Sequence, residues 1–134
     1  MIAQFIQRPG ADMDQSSQAI ALCINGTQAE YAGRPDTAHA LYQQAWDTAA
    51  DDYERCIAAH YLARFQATPE ETLHWNEVAL ALAEGVGDDR VTPFFPSLYV
   101  NLGQSHEQLG HKAEAQRFYQ LAADLGLIHN PGQV

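Results

Sequence analysis

Apolar residues recur three and four positions apart along most of the chain, and no stretch alternates in the way a half-buried strand does. The pattern predicts an all-α protein of six main helices. Ile20, Leu22, Cys23, Ile24 and Ala29 mark the apolar face of a first helix from about Ser16 to Ala32. Gly33-Arg34-Pro35 breaks it, and Pro35 suits the first turn of a second helix reaching about Ala50, with Ala38, Leu41, Tyr42, Ala45 and Trp46 on one side. Asp51 followed by Glu54 has the form of a capping box and predicts a third helix ending near Ala67. Thr68-Pro69-Glu70-Glu71 combines a cap, a first-turn proline and an acidic first turn. The fourth helix it starts carries Leu73, Trp75, Val78, Ala79, Leu80 and Leu82 before Gly85. A polar stretch, Gly85 to Thr92, reads as a mobile linker, because few apolar groups are there to offset its ordering entropy. Thr92-Pro93 or Phe95-Pro96 opens a fifth helix through Leu98, Leu102 and Leu109 to Gly110, and a sixth runs from about His111 to Leu125.

The chain repeats itself. Ala38, Tyr42 and Ala45 reappear in the same spacing as Ala115, Tyr119 and Ala122. Gly33 and Gly110 each stand five residues before the first alanine of their triplet, and Gly26 and Gly103 stand seven residues further upstream. A fixed internal period of this kind is the sequence signature of stacked helical repeats.

This pattern resembles the tetratricopeptide repeat. The last copy reads Tyr99, Leu102-Gly103, His106, Gly110, Ala115, Tyr119 and Ala122, and the first reads Leu22, Gly26, Ala29, Gly33, Ala38, Tyr42 and Ala45. A middle copy falls 34 residues after the first, at Cys56, Ala63, Ala67, Thr72 and Ala79. His60 and Asn76 stand where the family has a small residue and an aromatic; a shift of one residue would put Ala59 and Trp75 at those contacts. About nine residues, roughly Gly87 to Phe95, are inserted before the third copy, and the family's terminal stop signal and capping helix are not found. The likeness spans about residues 19 to 127. It implies a right-handed superhelix of about three antiparallel helix pairs over 16–128, with copies at about 19–52, 53–86 and 96–128, an arm at 1–15 and a tail at 129–134.

In that family the first helix of each pair lines a concave groove. The resemblance places Thr27, Glu30 and Tyr31 there from the first copy, Ile57, Tyr61, Arg64 and Phe65 from the second, and Val100, Asn101, Gln104 and Gln108 from the third. Asn101 with Arg64 would suit a peptide carbonyl or carboxylate. Family members that clamp the carboxylate tails of heat-shock chaperones use several Lys and Arg in this groove, and only Arg64 of that set is present. The implied function is a non-enzymatic module binding an unidentified protein or peptide. Self-association is the first alternative, since Phe118, Leu121 and Leu125, followed by Leu127 and Ile128, leave the last helix apolar over much of its circumference. A small helical ligand-binding protein or enzyme is the second.

Composition narrows the rest. Seventeen acidic and seven basic residues give a formal charge of -10, and the basic residues form no run, which argues against nucleic acid. No apolar stretch is long enough to span a membrane and no export leader is evident, so the expected location is cytoplasmic. Cys23 and Cys56 read as buried thiols. His106 and His111 lie five apart, which on a continuous helix points them about 140° from each other, whereas a zinc-protease helix needs four. His39, His60, His74 and His129 have no ligand-like spacing. The paired acids Asp51-Asp52, Glu70-Glu71 and Asp88-Asp89 sit at helix starts or in a loop, where capping and solvation account for them. No nucleophile elbow or phosphate loop is present, and no metal or cofactor is expected.

Overall fold

A computed structural model describes residues 17–126, and every regular element among them is helical. Six α-helices follow in order: α1 (Gln18–Tyr31), α2 (Pro35–Thr48), α3 (Asp52–Leu62), α4 (Pro69–Val86), α5 (Phe95–Gln108) and α6 (Lys112–Asp124). The arm at 1–15, the tail at 129–134, and Leu127 and Ile128 lie outside the described residues.

Local chemistry sets the helix starts. Ser17 Oγ accepts from the Ile20 N–H at 3.1 Å, and Thr68 Oγ1 accepts from Glu71 N–H at 3.1 Å, with Pro69 in the first turn of α4. Asp51 accepts from Glu54 N–H at 2.9 Å while Glu54 reaches back to the N–H of Ala50 at 2.8 Å, so the box closes one residue before the cap. Pro96 opens α5, and Thr92-Pro93 instead belongs to a separate 3₁₀ turn, Thr92–Phe94. The third helix stops earlier than the sequence suggests: α3 ends at Leu62 and tightens into a 3₁₀ turn over Ala63–Phe65.

Consecutive helices pack as α1 on α2, α3 on α4 and α5 on α6; α3 also packs on α1 and α2, and α4 on α5. The internal repeat is visible in side-chain detail. Gly33 and Gly110 both turn the chain with positive φ, 77° and 80°. Tyr42 lies across Gly26 and Tyr119 across Gly103; a Cβ added at either glycine would stand 2.5 Å from the tyrosine Cε1. Tyr42 Oη donates to Glu30 at 2.8 Å and Tyr119 Oη donates to Glu107 at 2.5 Å. Each glycine thus makes room for a ring on the following helix, and each ring reaches a glutamate one turn beyond that glycine.

The close approach fixes the sign of a mutation. Alanine ordinarily suits a helix better than glycine by about 1 kcal/mol, but at Gly26 the added methyl meets a buried ring that is itself stacked on Tyr61 at 4.5 Å. Gly26→Ala is expected to cost about 1–3 kcal/mol in urea unfolding. Gly85→Ala, whose Cβ would sit an ordinary 3.7 Å from Asp52 Oδ2, is expected to be neutral or stabilising by up to about 1 kcal/mol. Equal effects at the two sites would contradict the packing described.

The inserted segment is only partly the polar linker that its composition predicts. Gly87, Asp88, Asp89 and Arg90 are exposed, but Val91 and Phe94 are buried in the main core, and the Arg90 guanidinium lies 4.6 Å over the Tyr53 ring. Limited proteolysis is therefore expected to cut first within 87–90; earlier cleavage within α2 would contradict this. Cys23 and Cys56 are both buried, and burial pushes each thiol up to about 12, with Glu54 adding to the effect at Cys23. Neither is a thiolate nucleophile at neutral pH. On α6, Phe118 is buried against His106 and Tyr99 and Leu121 is half-buried, and Leu125, which caps the helix C-terminus, is 55% exposed. No described helix is long and apolar enough to cross a membrane.

Candidate functional site

One cavity of about 540 Å³ opens between α1, α3, α4 and α5. Eight of the eleven residues that the resemblance places in the groove line it: Thr27, Glu30 and Tyr31 from α1, Tyr61 and Arg64 from the end of α3 and the turn after it, and Asn101, Gln104 and Gln108 from α5. Phe65 does not line it. A 3₁₀ turn advances about 120° per residue against about 100° in an α-helix, and at the end of that turn Phe65 stacks on His39 of α2 at 5.1 Å and tilts against Tyr42 at 5.7 Å. Ile57 is buried in the core and Val100 is half-buried; neither reaches the cavity wall.

At the mouth, Arg64 Nη2 pairs with both carboxylate oxygens of Glu30, which also accepts from Tyr42 Oη at 2.8 Å. These are the two charged residues on the wall apart from His60, so the lining carries no net charge once His60 is accounted for. His60 is buried, and burial, with the Arg64 charge adding to it, lowers its pKa to about 4. Its imidazole is neutral at pH 7. Asn101 Nδ2 donates to His60 Nδ1 at 3.2 Å, which leaves the imidazole proton on Nε2.

The deeper wall is polar. Asn76 Nδ2 on α4 donates to Ser105 Oγ on α5 at 2.8 Å, both groups buried. Tyr61 is only 1% exposed, and its hydroxyl has no hydrogen-bond partner. Burial raises its pKa well above the usual phenol range, the nearby Thr27 hydroxyl partly opposing this. A buried polar atom left unpaired costs about 1–3 kcal/mol, and Tyr61 carries that cost at the cavity. Seven polar residues are buried among those described, and five of them, Thr27, His60, Asn76, Ser97 and Ser105, line this one cavity.

Neither a protein-family model nor a curated protein matches this chain.

Sequence reasoning missed His60, Asn76, Ser97 and Ser105 as wall residues. For the first two a signal was present: they are the two positions of the middle copy that depart from the repeat pattern toward polar side chains. Ala59 is buried and Trp75 meets Trp46 edge-on at 5.0 Å, while His60 and Asn76 themselves turn inward. His106 and His111 stand on either side of the helix break expected at Gly110, which folds the chain back so that their Nδ1 atoms lie 3.0 Å apart. No cluster of three or more His, Cys, Asp or Glu suited to a metal exists among the described residues.

Proposed function

We propose that this chain is a non-enzymatic binding module that captures a peptide segment of another protein in the cavity between α1, α3 and α5. In this reading the three packed helix pairs are antiparallel, tetratricopeptide-like units of a short right-handed superhelix, with the first helix of each turned to the concave side. The paired Gly26–Tyr42 and Gly103–Tyr119 contacts support the repeat. The observation that carries the function is the convergence of eight groove positions and five buried polar residues on one cavity. A wall rich in carboxamides and hydroxyls, with an aromatic at its lip in Tyr31, offers hydrogen bonds to a peptide and little that would drive bond cleavage.

Selection of a displayed library of linear peptides on the immobilised full chain tests this reading. Enriched peptides are expected to bind the wild type and to bind at least about tenfold more weakly to a Gln104→Ala/Gln108→Ala variant, whose two sites are exposed and leave the core untouched. No enrichment over the bare support, or equal binding to the variant, would overturn it. A dimer through α6 is the alternative. Exposed Leu125 favours it, and light scattering of wild type against Leu125→Glu separates the two readings.

A further inference from the structure

We infer that the deep wall of the cavity is a subsite for an uncharged primary carboxamide, the tip of an asparagine or glutamine side chain of the bound peptide. This rests on the peptide-binding reading above and gives its specificity. The groups concerned are Tyr61, Asn101, Asn76 and the neutral His60.

Three observations carry it. The first is charge. Arg64 Nη2 is held by both oxygens of Glu30 across the mouth, so the one cation of the wall is already neutralised and gives an incoming carboxylate no uncompensated charge to meet. An ammonium or guanidinium would face a wall whose one carboxylate is already engaged. A neutral ligand disturbs neither. The second is donor and acceptor supply. The Tyr61 hydroxyl is unpartnered and can both donate and accept. The bonds Asn101–His60 and Asn76–Ser105 each engage one N–H of a carboxamide, which carries a second N–H and a carbonyl oxygen besides. A primary carboxamide presents the complementary pair, an N–H donor beside a C=O acceptor. The third is depth. His60, Tyr61, Asn76 and Ser105 are each more than nine-tenths buried, a depth that suits a narrow side-chain tip rather than a continuous main chain. His60 and Asn76 occupy the two positions at which the middle repeat copy departs from its pattern, so the subsite belongs to this chain's own sequence.

The probes are acetamide and acetate, planar molecules of equal size that differ in charge and in the presence of a donor. Each is titrated into ¹⁵N-labelled full chain at neutral pH and matched ionic strength, and the side-chain NH₂ signals of Asn76 and Asn101 are followed. Saturable shifts with acetamide and none, or much weaker ones, with acetate are expected. Tyr61→Phe, which removes a hydroxyl that has no partner in the folded protein, should leave the melting temperature unchanged or raised and weaken acetamide binding about three- to tenfold. Acetate binding as tightly as acetamide would overturn the carboxamide subsite in favour of an anion site at Arg64 and leave the peptide-groove reading standing. No saturable shift with either probe, or acetamide binding unaffected by Tyr61→Phe, would also overturn it, while the peptide selection judges the groove reading separately.

Discussion

Replacing Tyr42 with alanine is expected to remove about 3–5 kcal/mol of stability in urea unfolding, the largest loss of any single substitution considered. Its ring is fully buried, lies over Gly26, stacks on Tyr61 at 4.5 Å within 7° of parallel, and tilts against Phe65 at 5.7 Å. It therefore ties α1, α2 and α3 together at one point. The hydroxyl contributes less. Tyr42→Phe loses the 2.8 Å bond to Glu30, whose carboxylate keeps Arg64, and should cost only about 0.5–1.5 kcal/mol. Tyr119→Ala is the internal comparison. Tyr119 makes the same glycine contact and the same glutamate bond but is only half-buried, so its loss should fall clearly below that of Tyr42. A Tyr42→Ala loss below about 1 kcal/mol would mean that the glycine–tyrosine contact does not hold the first two helix pairs together.

The second large effect is a dependence of stability on pH through His60. Burial, with Arg64 adding to it, lowers its pKa from 6.5 to about 4. Between those values the unfolded chain takes up a proton that the folded chain refuses, so the folded state loses stability as pH falls from about 6.5 toward 4. Above 6.5 the contribution is complete, and it amounts to about 3 kcal/mol. The measurement is a difference between two proteins, so that every other pH-dependent contribution cancels. His60→Gln keeps a hydrogen-bonding group but does not titrate there, and its stability should fall less steeply between pH 6.5 and 4 than that of the wild type. Parallel curves for the two proteins would show that His60 is not held neutral. Protonation would also remove the acceptor that Asn101 uses, so acidification should disturb the deep wall together with the fold.

What the sequence made legible was what neighbouring residues decide. Asp51 and Thr68 with Pro69 sit at helix starts because a side-chain oxygen three residues before an orphan N–H suffices to cap it. The Gly26–Tyr42 and Gly103–Tyr119 pairs were legible because the same contact is written twice. Features settled by packing across the fold were not. The early end of α3, and with it the turn of Phe65 toward His39, follows from contacts with α2 that no local window contains. Val91 and Phe94 bury themselves from a segment whose composition is that of a loop. His106 meets His111 because Gly110 takes a left-handed conformation between them, which helical spacing alone cannot express. At the cavity, the exposed rim of Gln104 and Gln108 was among the positions that the family resemblance implied. The polar wall of His60, Asn76, Ser97 and Ser105 did not, because each comes from a different helix or turn of helix and is recognised only once the helices are assembled.

The most direct test of peptide capture in this cavity is the mapping of a library-selected peptide onto the full chain by backbone and side-chain chemical shifts. Saturable shifts are predicted at Thr27, Tyr61, Arg64, Asn101 and Gln104, which converge on the cavity from α1, α3 with the turn after it, and α5. Shifts confined to the exposed faces of α2 and α6, with those five residues unmoved, would contradict the account.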